Sequence, residues 1–165
     1  MADYTFTVNL EIDELIYDID NKAYLTGRSR KDTAGVETVA SMQSSDSDED
    51  RNQILRSIQN AYNQLRVAVS EYITYEDDLE REFNDELLDG DTTSFIELSF
   101  TVPGNFNTAT RAAIAAIAHK YIVNKALAEW FLITNKADVA EYEALAAQNA
   151  EELRVALNKR VRPKR

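Results

Sequence analysis

Two stretches of the chain alternate between apolar and polar residues, which is the pattern of a β-strand with one buried face. Every second residue is apolar in residues 3–10 and again in residues 94–102. Pro103 and Gly104 follow the second stretch directly and stop it. We expect the two stretches to be strands that pair with each other, with residues 83–88 as an alternative partner.

Four other stretches have apolar residues at the three- and four-residue spacing of an amphipathic helix. This spacing predicts helices at about 12–27, 50–74, 107–134 and 138–160. The predicted fold is therefore mainly α: a single helical-bundle domain over residues 1–165, of about four helices, with a small antiparallel β element.

Residues with known capping preferences set the expected ends of these helices. Gly27 is placed to end the first helix, and Asn107 or Thr108 to begin the third. Asp138 and Glu141 have the spacing of a capping box at the start of the last helix. Because the connection before Asp138 is only three residues long, we expect the last two helices to be antiparallel neighbours.

Five large side chains lie in the apolar rows of the predicted helices, and we expect them to anchor the core. They are Tyr62, Leu65, Tyr121, Trp130 and Phe131. The last helix has one polar member in its apolar row, Asn149.

Composition narrows the chemistry that the chain can perform. Apolar residues make up 44% of the 165, enough for a core, whereas the net charge of −11 has the wrong sign for binding DNA over the whole surface. The absence of cysteine excludes disulfides, thiolate metal sites and cysteine nucleophiles, and a single histidine excludes sites that need two. No stretch approaches the ~18 apolar residues of a membrane helix, and the first residues do not resemble a secretory signal. We therefore expect no membrane association, and synthesis in the cytoplasm.

Motifs for catalysis or cofactor binding are missing. The acidic stretches beginning at Asp18, Asp46 and Asp89 each lack the glycine and the glutamate of a calcium-binding EF-hand loop. The four glycines are too far apart to cradle a phosphate. His119 lies in mid-helix beside Tyr121, where we expect a polar or interface residue and not a general base. We therefore expect no enzyme and no cofactor.

Charge is distributed unevenly along the chain. Acids concentrate in residues 46–50 and 76–91, and bases in residues 28–31, at the start of the irregular arm 28–51, and in the tail 159–165. Such segments are either solvated loops or surfaces that pair head to tail between copies of one chain. The second interpretation predicts inter-subunit contacts at five positions, Arg28, Arg30, Lys31, Asp48 and Asp50.

The C-terminal part of the sequence resembles a known family. An alternating strand ends in Val-Pro-Gly-Asn-Phe-Asn at 102–107, and an alanine-rich helix follows that contains residues 119–127 and Trp130-Phe131. A last helix then ends in Arg-Pro-Lys-Arg at 162–165. Over residues 94–165 these features resemble the head-to-tail connector (adaptor or neck ring) proteins of tailed bacteriophages, of the kind found in crAss-like and other Bacteroides phages.

The resemblance implies a structural virion protein at the head–tail junction, assembled in the host cytoplasm. Its subunits would form a homo-oligomeric ring, commonly of twelve, which contacts the portal and adjacent neck or tail proteins while DNA passes without specific binding. The implied portal-docking tail comprises Arg160, Arg162, Pro163, Lys164 and Arg165. We expect deletion of residues 159–165 to abolish docking and to leave the fold intact.

A conduit for DNA is best lined by negative charge, because a basic wall would hold the phosphates. The expected lining comes from the acidic segment, at Glu76, Asp77, Asp78, Glu80 and Glu82. Two alternatives remain open. One is another phage structural protein for head closure, tail completion or decoration. The other is an acidic regulator or inhibitor that binds a basic partner.

Overall fold

The computed structural model describes residues 2–30, 40–43, 47–74 and 95–162. These residues contain four α-helices of 18 to 24 residues and one two-stranded sheet. In chain order the elements are β1 (Tyr4–Glu11), α1 (Ile12–Ser29), α2 (Asp48–Ala68), β2 (Phe95–Val102), α3 (Arg111–Thr134) and α4 (Val139–Leu157). The predicted mainly α fold with a small antiparallel β element is confirmed.

The sheet pairs β1 with β2 in antiparallel register, with Tyr4 opposite Val102 and Glu11 opposite Phe95. The alternation in both sequences places one face of the sheet on the core and the other in solvent. On the solvent face a hydroxyl pair, Thr7 and Ser99, lies 3.0 Å apart. The alternative partner at residues 83–88 lies outside the described residues.

Helix α3 is the centre of the bundle. It contacts α1, α2, α4 and β1, and it buries side chains around its whole circumference. A helix that is apolar all round is typical of a core position. Its buried alanines, Ala118, Ala126 and Ala128, let neighbouring helices approach closely.

Helices α3 and α4 are antiparallel neighbours, as the short connection predicts. Asn124 contacts Asn149, whereas Phe131, further along α3, packs on Tyr142, which is earlier in α4. The centroids of the Phe131 and Tyr142 rings lie 5.2 Å apart, and the ring planes are tilted by 45°.

The capping predicted at two helix ends does not form, although the last helix begins at Val139, directly after Asp138, as predicted. Helix α1 continues past Gly27 to Ser29, and Gly27 lies buried inside the helix without a left-handed conformation. Asp138 makes no capping hydrogen bond to α4. Its carboxylate is instead buried and accepts hydrogen bonds from Arg30 and Asn135.

The other helix ends differ from the prediction because 3₁₀ turns or extended backbone occupy the terminal residues. Helix α2 ends at Ala68 instead of residue 74, a 3₁₀ turn follows, and the Thr74 amide donates to the Ser99 carbonyl of β2 over 3.0 Å. Helix α3 begins at Arg111 after a 3₁₀ turn whose first amides are capped by Asn107. Helix α4 ends at Leu157 because residues 159–161 are extended and pair with residues 105–107.

The expected core anchors differ in their burial. Leu65 and Phe131 are fully buried, and Tyr121 and Trp130 are 6% exposed. Trp130 Nε1 donates a 2.9 Å hydrogen bond to the Met42 carbonyl, which attaches residues 40–43 to α3. Tyr62 is only partly buried, and its hydroxyl donates to the Glu97 carbonyl over 2.8 Å.

Candidate interaction surface

Polar side chains recur at every fourth residue along one side of α1 and at Arg30, which directly follows it, and each one bonds to α3 or to the segment around α4. The four are Asp18, Lys22, Thr26 and Arg30. Residues four apart on a helix share one face, so these contacts form a row of polar rungs beside the buried apolar residues of the same helix. The rungs fix the rotation of α1 about its own axis.

The first rung joins Asp18 to His119 of α3. The Nε2 and Oδ2 atoms lie 2.8 Å apart, and the two side chains are 23% and 42% exposed for His119 and Asp18. The sequence placed His119 as a polar residue beside Tyr121 and gave no sign of its partner, which is 101 residues away in the chain. His119 thus links two helices.

The second rung continues into the interior. Lys22 Nζ donates to Asn124 Oδ1 over 3.2 Å, and Asn124 Nδ2 donates to Asn149 Oδ1 over 2.8 Å. Burial lowers the pKa of Lys22; Asp18 opposes this shift and Lys120 adds to it. These two hydrogen bonds connect α1, α3 and α4. They also give a hydrogen-bond partner to Asn149, the polar member of the apolar row of α4.

The last two rungs lie where α1 meets the start of α4. The hydroxyls of Thr26 and Tyr142 are 2.8 Å apart, and Arg30 pairs with Asp138, which is 1% exposed. The hydrogen bond to Asp138 raises the pKa of Arg30. Arg30, which the sequence assigned to a neighbouring subunit, thus pairs within its own chain.

The opposite face of α1 exposes three large apolar side chains among polar ones such as Asp13, Glu14 and Asn21. Tyr17 is 64% exposed, Tyr24 47% and Leu25 49%, and Arg28 is exposed on the same side. We call these four residues the outer stripe of α1. The sequence placed Arg28 among the expected inter-subunit contacts and did not single out the other three. The sequence signal for them was the spacing: Tyr24 and Leu25 follow Tyr17 by seven and eight positions, and all three lie outside the row of apolar residues predicted to face the core.

A second exposed apolar feature is a hollow of about 320 Å³ beside the C-terminal half of α4. We call it the α4 hollow. Val155 is 48% exposed within it, and Glu151 and Glu152 stand at its edge. The remaining lining residues are Thr110, Gln148, Ala156 and Lys159.

The other predicted contact residues lie on α2 or outside the described residues. Asp48 and Asp50 are in the first turn of α2, where acids favour the helix dipole, and Ser47 caps that turn by accepting from the Asp50 amide at 3.3 Å. Lys31 lies outside the described residues. So do the five expected lining residues, Glu76, Asp77, Asp78, Glu80 and Glu82.

The predicted docking tail is partly built into the fold. The Val161 amide donates to Asn105 over 2.9 Å, and the Asn107 amide donates to Lys159 over 3.0 Å. The Arg160 side chain donates to the Leu157 carbonyl at 2.7 Å, at the end of α4. Arg162 is exposed. The last three residues of the expected tail, Pro163, Lys164 and Arg165, lie outside the described residues.

Comparison with protein-family models, with curated proteins and with solved structures gave no match. Across the described residues, no helix is both long and apolar enough to cross a membrane. The same part of the chain holds no group of three or more acidic or histidine side chains arranged to bind a metal ion.

Proposed function

We propose that this chain is a structural subunit of a homo-oligomeric ring, of the kind that connects the portal of a tailed phage to its tail and forms part of the DNA conduit. The observation that carries the proposal is the outer stripe of α1, which presents three large apolar side chains to solvent on one helix face.

The composition of the stripe suits a protein partner. Tyrosine and arginine are enriched at protein–protein interfaces and in their energetic hot spots, because they bring large contact area with a polar end. The stripe unites Tyr17, Tyr24 and Arg28.

The polar rungs on the inner face of α1 hold the stripe in place before any partner arrives. Binding then requires little ordering of the helix, which lowers the entropic cost of association. A ring subunit benefits from this arrangement, since the same contact is repeated around the ring.

Charge supports the conduit role. The net charge of −11 repels DNA phosphates and lets a duplex slide, and basic residues such as Arg28 and Arg162 stand exposed at individual positions. These positions suit contacts with acidic protein surfaces.

The experiment is native mass spectrometry of the purified chain, alone and with the portal protein of the same phage. We expect either a ring or a monomer that joins the portal in a defined multiple. Tyr17→Glu/Tyr24→Glu should lose this assembly, and Val67→Glu on α2, at a position 77% exposed, is the matched control.

A monomer or dimer that ignores the portal would contradict the proposal and favour an acidic regulator of a basic partner. Assembly with other head or tail proteins, without the portal, would replace the connector role by head closure, tail completion or decoration.

A further inference from the structure

We propose that the outer edge of strand β1 binds an extended segment of another protein, which adds to the sheet as an antiparallel strand and carries basic residues at its ends. The ring proposal makes no use of this edge. The inference therefore goes beyond the proposed function and can fail without it.

Every second residue of β1 turns its backbone groups away from β2. The Ser99 carbonyl on β2 accepts from the Thr74 amide, so Ser99 directs its backbone away from β1. Residues opposite each other in an antiparallel pair either bond to each other or both turn away, so Thr7, opposite Ser99, also turns outward. Thr5 and Asn9, two positions to either side, do the same. Among the described residues no backbone hydrogen bond reaches the outward groups of these three.

This edge lacks the features that usually keep a sheet from pairing with other chains. Natural edges are protected by a lysine, a proline, a bulge or a very short strand. Strand β1 has eight residues in unbroken register with β2, and its sequence contains no lysine and no proline. The side chains of Thr5, Thr7 and Asn9 are exposed and small, so they leave the edge open to another strand.

The outward groups specify an extended backbone as their partner. They form a row of N–H donors and C=O acceptors that repeats every second residue, at about 6.8 Å. Another β-strand presents the same row, and extended peptides add to exposed sheet edges in this way. The hydroxyls of Thr7 and Ser99 lie 3.0 Å apart, and those of Thr5 and Thr101 lie 3.4 Å apart. A threonine opposite Thr5 or Thr7 would extend these hydroxyl rows across the new pairing.

The charge at the two ends of the edge favours a partner with basic ends. Asp3, just before β1, and Glu11, its last residue, are exposed. The alternation of the strand places both on the solvent side of the sheet. Within the described part of the chain, no ion pair includes either carboxylate.

Two arginines near β1 do not neutralise these carboxylates. Arg111 lies over the Phe6 ring, 5.5 Å from its centroid, and Phe6 belongs to the buried face of the strand. Arg51 is 3.8 Å from Asp13, which follows the strand and is itself a carboxylate. The edge is therefore neutral along its length and acidic at both ends.

These charges distinguish the partner from a second copy of β1. Antiparallel pairing of two copies along the whole strand, centred on Thr7, would place Asp3 of each copy opposite Glu11 of the other. Like charges directly opposite each other destabilise a pair of strands. A strand of another protein with lysine or arginine at those two positions forms ion pairs there instead.

The test uses a synthetic probe of that chemistry, the nonapeptide Lys-Val-Thr-Val-Thr-Val-Thr-Val-Lys. In antiparallel register its threonines lie opposite Asn9, Thr7 and Thr5, and its lysines lie opposite Glu11 and Asp3. Methyl groups on the four valine nitrogens block the far edge of the peptide, so that it cannot grow into a sheet. The matched control carries methyl groups on the three threonine nitrogens instead, which face β1.

Hydrogen exchange followed by NMR reports the contact residue by residue. With about nine-tenths of the chains occupied, the amides of Thr5, Thr7 and Asn9 should exchange about tenfold more slowly, because only the free tenth remains open. The amides of Phe6 and Val8 bond to β2 and should not change. The control peptide should have no effect on any of them.

Two variants each remove one property of the edge. Thr7→Pro removes an outward N–H that the fold does not use and should abolish probe binding, whereas Thr7→Ala should bind like the wild type. Asp3→Asn/Glu11→Gln should weaken binding about 1.5- to 5-fold for each exposed ion pair lost. Circular dichroism verifies that each variant is folded, and the charge variant tests the contact even if the proline disrupts the strand.

Slow exchange at Thr5, Thr7 and Asn9 in the isolated chain would show that the edge is already covered and would overturn the proposal. Equal binding of both peptides would mean that no strand is added, and failure of the probe to bind at millimolar concentration would also contradict the proposal. Equal binding by the charge variant would overturn the assignment of basic ends. None of these results bears on ring assembly, which native mass spectrometry measures separately.

Discussion

The side-chain amide of Asn124 on α3 donates a 2.8 Å hydrogen bond to Oδ1 of Asn149 on α4, between residues that are 6% and 8% exposed. A buried amide must be hydrogen-bonded to be tolerated in a core. The pair therefore fixes which faces of α3 and α4 meet. Lys22 extends the hydrogen-bonded network to α1 by donating to Asn124.

Removing one member of this pair should destabilise the fold. Asn149→Ala leaves the Asn124 amide without its acceptor, so we expect a loss of about 1–3 kcal/mol in the free energy of unfolding. Urea denaturation measures it, with the exposed Gln148→Ala as control. The double variant Asn124→Ala/Asn149→Ala should lose less than the two single losses added together. Additive losses would show that the two residues act independently.

Trp130 should show separate contributions from its ring and from its N–H. Trp130→Phe keeps much of the ring and leaves the Met42 carbonyl without its donor, for which we expect about 1–3 kcal/mol. Trp130→Ala also leaves a cavity and should lose about 3–5 kcal/mol. Thermal unfolding followed by circular dichroism distinguishes the two. A wild-type melting temperature for Trp130→Ala would mean that its burial contributes nothing to stability.

The basic tail should divide into a structural part and a free part. Truncation after Val161 keeps both backbone hydrogen bonds between 159–161 and 105–107, so stability should be unchanged. Truncation after Asn158 removes both bonds and should lose about 1–3 kcal/mol. This corrects the expectation that deletion of residues 159–165 leaves the fold untouched.

Urea unfolding of both truncations provides the comparison. Portal binding by the chain truncated after Val161 then tests the docking role of Arg162 and the residues beyond it. Equal stability of the two truncations would show that the pairing with residues 105–107 contributes nothing.

Stability should fall in alkaline solution. Burial raises the pKa of Tyr121 and of Tyr142 above the ordinary value of 10.0; the nearby Glu143 adds to the shift at Tyr121, and a hydrogen bond to Thr26 opposes it at Tyr142. Because the folded pKa exceeds the unfolded one, this stabilisation is complete below pH 10 and is lost as pH rises through the folded pKa. Tyr121→Phe should reduce the decline, measured as the urea midpoint against pH.

Lys22 acts with the opposite sign. Its pKa is lowered from 10.5 by burial, so the charged form destabilises the fold and the penalty disappears as pH rises toward 10.5. The stability of the wild-type chain should therefore rise as pH approaches 10.5 from below. Lys22→Gln should reduce this rise. A pH profile identical to that of the wild type would contradict this role of burial.

Strand β1 should show an alternating pattern of hydrogen exchange. Thr74 donates to the Ser99 carbonyl and Tyr62 donates to the Glu97 carbonyl, so these β2 residues direct their backbone groups away from β1. Successive residues of an antiparallel strand direct their backbone N–H and C=O groups to opposite sides. The β2 residues that alternate with Glu97 and Ser99 therefore bond to β1.

The β1 residues opposite those bonding positions should be protected and their neighbours should not. Within the described residues β1 is an edge strand. We expect slow amide exchange at Phe6, Val8 and Leu10, and fast exchange at Thr5, Thr7 and Asn9. NMR-detected exchange measures each amide separately. Equal protection along the strand would show that its outer edge is covered.

The element types were predictable because they depend on local periodicity. The period-two pattern in β1 and β2 and the helical spacing in the four helices reflect which side chains must leave water, and this information lies within a few residues. The burial of Leu65, Tyr121, Trp130 and Phe131 follows the same pattern. Tyr62 deviates because its hydroxyl reaches a carbonyl at the rim of the sheet.

The candidate surface was much less predictable. Charge placed both Arg28 and Arg30 among the expected inter-subunit contacts, yet Arg28 is exposed on α1 whereas Arg30 pairs with Asp138, 108 residues away. Nothing in the local sequence distinguishes the two arginines. Tyr17 and Tyr24 resemble core residues by type, and only the packing of α1 leaves them in solvent.

The sequence by itself determined the kinds of elements, their order and the alternation that buries one face of the sheet. The tertiary structure decided where α1, α2 and α4 end, which charges are paired and which apolar side chains stay exposed. The physical reason is range: periodicity is written into neighbouring residues, whereas pairs such as Lys22 with Asn124 or Asn107 with Lys159 exist only once distant segments meet.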